Sequence, residues 1–470
     1  MEGTFDFGMI GIGVMGSNLL LNIADQGYAV IGFDLKEERA RALEEAARPG
    51  TTVKGVTDIA AFAAALKSPR KIMMLVPAGK PVDAVIANLL PHLREGDILI
   101  DGGNSYYKDT QTRIRQLQPQ GIHFFGMGVS GGELGARLGP SMMPGGDEEA
   151  YRYLRPILES VAARAGDQPC VAYMGRDAAG HYVKMVHNGI EYALMQLISE
   201  AYDLLHRGAG YDNQRLSDLF NRWNEGALRS YLVEITGEIF RVVDEGDPNH
   251  LQLVDKILDQ AGSKGTGKWT SQDAMDIPVS VPTIDTAVAL RDLSVYKEQR
   301  AAAARLYPRA NSRLKVNEQE LEDALGFAFV IAYAQGLSLL SEASKAYELH
   351  IPMRAVVQVW KAGCIIRSGL LPLFEQVYAE NADAASILLH PAIAGWLAPR
   401  EQGLRNTIAQ AIGAGIPVAG LSSALAYFDA WRSERLPTNL IQAQRDYFGA
   451  HTYRRIDREG VFHTEWHKDE

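Results

Sequence analysis

A glycine-rich turn near the amino terminus constrains this chain more than any other feature. Gly11-Ile12-Gly13-Val14-Met15-Gly16 follows the apolar run Phe7 to Ile10 and opens a segment of helical pattern. At a strand-to-helix turn the first glycine permits a tight bend, the second lets a pyrophosphate approach the backbone, and the third lets the helix pack closely. A second strand candidate, Ala29 to Phe33, is followed by Asp34, 18 residues after Gly16. There a carboxylate can accept hydrogen bonds from an adenosine ribose. Alone the glycine pattern is weak; inside a βαβ unit it predicts a dinucleotide site. The Asp34 charge would repel a 2′-phosphate, which selects NAD and leaves NADP possible because Lys36 and Arg39 stand close by.

The pattern continues. Further strands are expected at Lys71 to Val76, Asp97 to Asp101 and His123 to Val129, alternating with helical segments, which is the mark of a Rossmann-type, parallel doubly wound sheet. Val76-Pro77-Ala78 and Gly102-Gly103-Asn104-Ser105 then fall at carboxyl ends of strands, where such a sheet places cofactor and substrate. Beyond about Gly180 the texture is helical. We expect a dinucleotide-binding domain over 1–178, an all-helical domain over 179–438, and a polar C-terminal tail over 439–470, rich in Tyr, His, Arg and Phe, that docks on something. Ala261 to Lys268 and Ile277 to Pro282 read as functional loops between helices, and Leu251 to Gln260 reads as helical.

Within the helical half, Lys184, His187, Asn188 and Glu191 are spaced by three, four and seven residues, which sets them on one stripe of one helix. Val183, Val186, Ile190, Leu194 and Leu197 form an apolar stripe beside it. Lys184 and Glu191 lie about 10 Å apart along the axis. One base and one acid can therefore serve two ends of a small substrate. The bland alternative is a solvated helix face.

Composition excludes several classes. A net charge of −10 disfavours nucleic acid and anionic membranes as partners. The longest apolar-rich stretch, Gly326 to Gly336, falls short of the roughly 18 apolar residues a membrane span needs. No basic, apolar secretory leader opens the sequence, and two cysteines, Cys170 and Cys364, make neither a disulfide framework nor a metal-ligand pattern. The expected compartment is the cytoplasm, and no metal site is expected.

Five motifs in order give the chain a close resemblance, over essentially its whole length, to the decarboxylating 6-phosphogluconate dehydrogenases. They are Gly128-Val-Ser130-Gly131-Gly132, the Lys184 to Glu191 helix, Ala261-Gly-Ser-Lys264-Gly-Thr266-Gly-Lys-Trp269, Gly363-Cys364-Ile-Ile-Arg367-Ser, and Gln444-Arg445-Asp446-Tyr447-Phe448-Gly449-Ala450-His451. The resemblance implies oxidation and decarboxylation of 6-phospho-D-gluconate, with Lys184 as general base and Glu191 as general acid. His187, Asn188, Asn104, Ser130, Gly131 and Gly132 would hold the hydroxyls and carboxylate. Tyr192, Lys264, Thr266, Arg291, Arg445 and His451 would hold the phosphate. It further implies a homodimer in which the tail carrying Arg445 and His451 completes the neighbour's site. Two departures stand out: Asp34-Leu35-Lys36 replaces the Asn-Arg-Ser or Asn-Arg-Thr usual in NADP users, and Leu134 replaces a second Glu.

Rival readings are weaker. Gly262 to Lys268 matches the start of a phosphate-binding P-loop, but Trp269 occupies the Mg²⁺-binding Ser or Thr position. Other β-hydroxyacid dehydrogenases are shorter and lack the phosphate cluster. A non-catalytic NAD-binding protein would need neither Lys184 nor Glu191.

Overall fold

The computed structural model describes residues 3–246, 251–308 and 313–466; the extreme ends of the predicted first domain and tail, 1–2 and 467–470, lie outside it. Seven strands form one sheet: β1 (Phe7–Ile10), β2 (Val30–Phe33), β3 (Val53–Val56), β4 (Lys71–Met74), β5 (Ile98–Asp101), β6 (His123–Ser130) and β7 (Ser141–Gly145). Their order is β3-β2-β1-β4-β5-β6-β7. The first six run parallel, and the last is antiparallel, with Gly126 opposite Gly145 and Ser130 opposite Ser141. The pleat sends Met9, Met73, Ile100 and Phe125 to one apolar layer and Ile10, Ile72, Met74, Leu99 and Phe124 to the other. Both faces are covered, so the central strands read as unbroken apolar runs.

Sequence reading found five of these strands and missed β3 and β7. The first is short and half-exposed at the sheet edge. The second, Ser-Met-Met-Pro-Gly, carries turn residues, which an edge strand tolerates. It adds one antiparallel edge strand to the expected parallel sheet. The short Gly132–Leu138 helix between β6 and β7 is too brief a crossover for a parallel return.

The helical half is built on two long helices, Ala179–Asp203 and Glu318–Ala346, packed on one another. A Cβ on Gly336 would come within 2.5 Å of Ile190, so glycine there permits the close approach. The Glu318–Ala346 helix extends well beyond the Gly326 to Gly336 stretch: its most apolar 18-residue window has mean hydropathy 1.6, which by length and composition alone would suffice to cross a membrane. Ser and Gln interrupt its apolar residues without lowering the average enough. Its apolar window is 94% buried inside the protein, as a core helix is. The expected helix over Leu251 to Gln260 is replaced by a single 3₁₀ turn, Leu253–Lys256, with Leu251, Ile257 and Leu258 exposed. Without a core to receive those side chains, periodicity alone does not hold a helix.

The two halves meet through glycine. Gly126, Gly128 and Gly145 on β6 and β7 face the start of the Ala179–Asp203 helix: a Cβ on Gly128 would lie 2.4 Å from the Lys184 Cβ, and one on Gly180 2.1 Å from the Gly126 carbonyl. Backbone therefore packs on backbone, and Lys184 is set over the end of the sheet.

Candidate active site

The glycine turn is built as its spacing requires. Gly11 has φ +85°, and a Cβ there would meet the Leu75 carbonyl at 2.5 Å. At Gly16 a Cβ would lie 2.1 Å from the Gly11 carbonyl, whereas at Gly13 nothing stands within 4 Å. The open approach is thus at Gly13, which caps the Val14–Asp25 helix without a side chain and leaves the first N–H groups facing outward. These residues fit a dinucleotide pyrophosphate. A cleft of about 640 Å³ extends from this turn, lined by Gly11, Gly13, Asp34, Leu35, Val76 and Pro77. Arg39, Pro81, Val85 and Asn88 line it as well. Ile12 is buried behind the turn, Met15 is half-buried, and Val14, Lys36 and Ala78 are exposed. Asp34 is buried, its Oδ1 accepting from the Lys36 amide at 3.1 Å and its Oδ2 from Arg39 at 3.1 Å.

Two strand-end loops are locked together by Arg113, which sequence reasoning missed. Its guanidinium donates to Asp83 at 2.7 Å, to the Gly79 carbonyl at 3.1 Å and to Asp101 at 3.3 Å. Asp101, fully buried, in turn accepts from the Gly103 amide at 3.0 Å and the Ser105 hydroxyl at 2.6 Å. This shapes the loop that leaves Asn104 exposed beside the cleft. No sequence periodicity joins residues 83, 101 and 113, so only the fold reveals the clamp.

The Ala179–Asp203 helix is no solvated face. Lys184, His187, Asn188 and Tyr192 are all buried, and Glu191 retains 22% side-chain exposure. Lys184 Nζ lies 3.5 Å from His187 Nδ1, which lies 2.9 Å from Asn188 Oδ1 and 3.9 Å from Glu191. On the other side of the ring, His187 Nε2 is 3.4 Å from the Ser130 hydroxyl. Ser130 itself begins the Gly131-Gly132 turn and accepts from the Ile365 amide at 3.4 Å. Gly131 has φ +122°, and a Cβ there would strike the Gly363 carbonyl at 2.6 Å, so the first and fourth motifs interlock.

Asn188 also donates to Thr266 Oγ at 3.1 Å. Thr266 starts the Thr266–Asp276 helix after Gly265 at φ +96°, so the loop expected from Ala261 to Lys268 ends inside a helix's first turn. Arg291 stacks over the Tyr192 ring at 3.6 Å and donates to the Gly262 carbonyl at 3.4 Å. Lys264 projects from the exposed part of that loop. The helix behind Thr266 is moored to the sheet domain through Asp273, which accepts from Tyr107, and Trp269, which packs on Tyr106 at 4.9 Å; Asp273 also accepts from Tyr182 and Tyr347 of the helical half.

Electrostatics divide the two charged groups. Burial pushes the Lys184 amine down from 10.5, against the pull of Glu191 and Cys364. The Glu191 carboxyl is raised from 4.5 by burial, against Lys184 and Arg291. His187 is driven well below 6.5 by burial and by Lys184. In all three groups burial works towards the neutral form: the amine of Lys184, the carboxyl of Glu191 and the imidazole of His187.

The structure thus brings Ser130, Lys184, His187, Asn188, Glu191, Tyr192, Thr266 and Arg291 into one cluster. It does not bring Arg445 and His451 there. Both are exposed, and on the Thr438–Gly449 helix Arg445 donates to Gln442 while the Asp446 carboxylate accepts from the Thr452 amide and lies against His463. Among the described residues no group of three or more His, Cys, Asp or Glu could hold a metal ion.

Comparison with known proteins gives two family matches. Residues 6–175 match the NAD binding domain of 6-phosphogluconate dehydrogenase, and residues 180–466 match the 6-phosphogluconate dehydrogenase C-terminal domain. The chain is 46% identical to the NADP(+)-dependent decarboxylating 6-phosphogluconate dehydrogenase of Bacillus subtilis, covering 98% of this chain and 99% of that protein. It is 47% identical to the decarboxylating enzyme of Escherichia coli K12, with 98% of each chain covered. A solved Plasmodium falciparum 6-phosphogluconate dehydrogenase, described in apo form and in complex with NADP+ and with 6-phosphogluconate, superposes with a TM-score of 0.95 at 42% identity, covering 98% of this chain and all of that one. On these grounds the chain belongs to the decarboxylating 6-phosphogluconate dehydrogenase family.

Proposed function

We propose that this chain oxidises and decarboxylates 6-phospho-D-gluconate to D-ribulose 5-phosphate and carbon dioxide with reduction of NAD(P). One observation carries the reading: a buried lysine shifted towards its neutral form and a largely buried glutamate shifted towards its protonated form stand two turns apart on one helix. That pairing suits a reaction that first removes a proton and later returns one.

Lys184 takes the proton of the C3 hydroxyl; a bound nicotinamide cofactor would supply the acceptor for the C3 hydride. The ammonium so formed hydrogen-bonds the new C3 carbonyl. That carbonyl is β to the carboxylate and receives the electron pair released when the C1 carboxyl leaves as carbon dioxide. Glu191 then delivers a proton to the carbon left behind in the enediol, giving ribulose 5-phosphate. His187 and Asn188 orient the sugar hydroxyls, with Asn104, Ser130, Gly131 and Gly132 around the carboxylate. Tyr192, Lys264, Thr266 and Arg291 hold the phosphate.

Arg445 and His451 complete the phosphate end from the tail of a second copy, in a homodimer. Exposed apolar side chains support this. Leu440, Ile441 and Phe448 stand out from the tail helix, while Met195, Ile257, Leu258 and Val295 are exposed on the helical half.

The named relatives point to NADP, through the Bacillus enzyme's name and the Plasmodium complex. This chain carries Asp34 at the adenosine end of the cleft, and the nearby cation Arg39 is already paired with it. We therefore assign NAD as preferred cofactor, with NADP as the second. Initial rates with each cofactor side by side, with evolved carbon dioxide quantified, test both levels. A higher kcat/KM with NADP overturns the preference, and no turnover with either overturns the substrate.

A further inference from the structure

In the tail, the sequence Arg445-Asp446-Tyr447-Phe448-Gly449-Ala450-His451 places one acid between the two residues assigned to phosphate. Asp446 is the buried residue of the otherwise exposed Thr438–Gly449 helix, with no measurable exposure. Its Oδ1 accepts from the Thr452 amide at 2.9 Å and lies 2.9 Å from His463 Nδ1. Its Oδ2 accepts from the Thr464 amide at 3.1 Å and the Trp466 indole at 2.8 Å. Burial opposes its ionisation, but these donors outweigh burial and hold the carboxyl down to about 2.

The chain around His451 needs such an anchor. Ala450 and Thr452, on either side of it, have φ of +48° and +60°. Non-glycine residues occupy that left-handed region only when the surroundings fix them there. The Asp446 carbonyl accepts from Ala450 at 2.9 Å and its carboxylate from Thr452, so one residue clamps both neighbours of His451. Gly449 makes room for the ring: a Cβ there would lie 2.7 Å from His451 Cδ2.

We propose that Asp446 is a positioning residue that folds the tail into the shape in which His451, the partner of Arg445 in that role, is presented to the substrate phosphate. This rests on the reading that these two residues bind that phosphate. Without the carboxylate the two left-handed residues relax, and His451 loses its fixed direction although the residue itself is intact.

The test is steady-state kinetics of the full-length enzyme, varying 6-phosphogluconate and, separately, the cofactor, for Asp446→Asn, His451→Ala, the double variant and Trp466→Phe. Misplacing a binding group by about an ångström is enough to raise the sugar-phosphate KM roughly tenfold in Asp446→Asn, with the cofactor KM and kcat little changed. Trp466→Phe, which removes one donor and keeps the acid, should show a smaller rise in the same direction. The double variant should be no worse than His451→Ala, because a misplaced histidine and a missing one are equivalent. An unchanged sugar-phosphate KM in both Asp446→Asn and Trp466→Phe, or full additivity in the double variant, overturns the proposal. An unchanged sugar-phosphate KM in His451→Ala overturns the phosphate reading beneath it, so the two failures are distinguishable.

Discussion

The dinucleotide cleft and the Lys184 cluster solve opposite problems in one active site. The cleft is a backbone device: Gly11, Gly13 and Gly16 shape it, and the side chains facing outward, Leu35 at 86% exposure among them, are free of the core. The cluster is a side-chain device, in which lysine and histidine are buried and shifted away from their ordinary titration beside a buried asparagine. Leu35 and Lys36, beside the buried Asp34, are exposed, so the cleft can be altered there at little structural expense. Proton transfer depends on burial, and burial of ionisable groups opposes folding.

The largest effect should come from the cluster. Lys184→Met removes the base and should lower kcat by about 10³–10⁴-fold, with the cofactor affinity, measured by fluorescence titration, little altered. Glu191→Gln should lower kcat by roughly 10²-fold or more, read as ribulose 5-phosphate released. If either variant lost cofactor binding in proportion to rate, the two regions would not be separable. In the cleft, Gly11→Ala puts a Cβ at φ +85° against the Leu75 carbonyl, and cofactor binding should weaken by roughly 10–100-fold while isolated 6-phosphogluconate binding survives. Asp34→Ser should move the NADP to NAD ratio of kcat/KM by roughly tenfold towards NADP, at unchanged kcat with the better cofactor.

The smallest effect concerns stability and its pH dependence. The native Glu191 carboxyl is raised above 4.5, so stability linked to it is full at low pH and is lost as pH rises through the native value. Lys184 is lowered from 10.5, so its linked stability is present at high pH and is lost as pH falls towards the native value. Both groups thus penalise the fold at neutral pH. Glu191→Gln and Lys184→Met should each raise Tm at pH 7 by about 1–3 °C while abolishing most activity, and a fall in Tm would show that the charges instead support the fold.

Much of this was legible in the sequence for a local reason. Glycine spacing reports a turn within six residues, and helical period reports a stripe within eight, so the cofactor turn and the Lys184 helix could be read directly. Edge strands β3 and β7 were lost because a half-exposed strand and one carrying Pro144 and Gly145 lack a strong apolar signature. The contacts that rigidify the site were invisible for another reason. Arg113 with Asp83 and Asp101, and Asp273 with three tyrosines from distant segments, are made by residues far apart in the chain. The tail was readable as polar and motif-bearing, yet its Asp446 hub depends on a fold-back through Tyr453 and Phe462 that no period announces.

The central claim is that Lys184 and Glu191 divide base and acid work between them. The pH dependence of kcat for the unmodified enzyme and Glu191→Gln, with 6-phosphogluconate saturating, tests it most directly. The account predicts a bell-shaped profile for the unmodified enzyme, limited by deprotonation of the base on one side and by protonation of the acid on the other, and a residual profile in Glu191→Gln that keeps only the rise towards high pH. A Glu191→Gln profile with both limbs intact would contradict it, because the acid limb would then belong to another group.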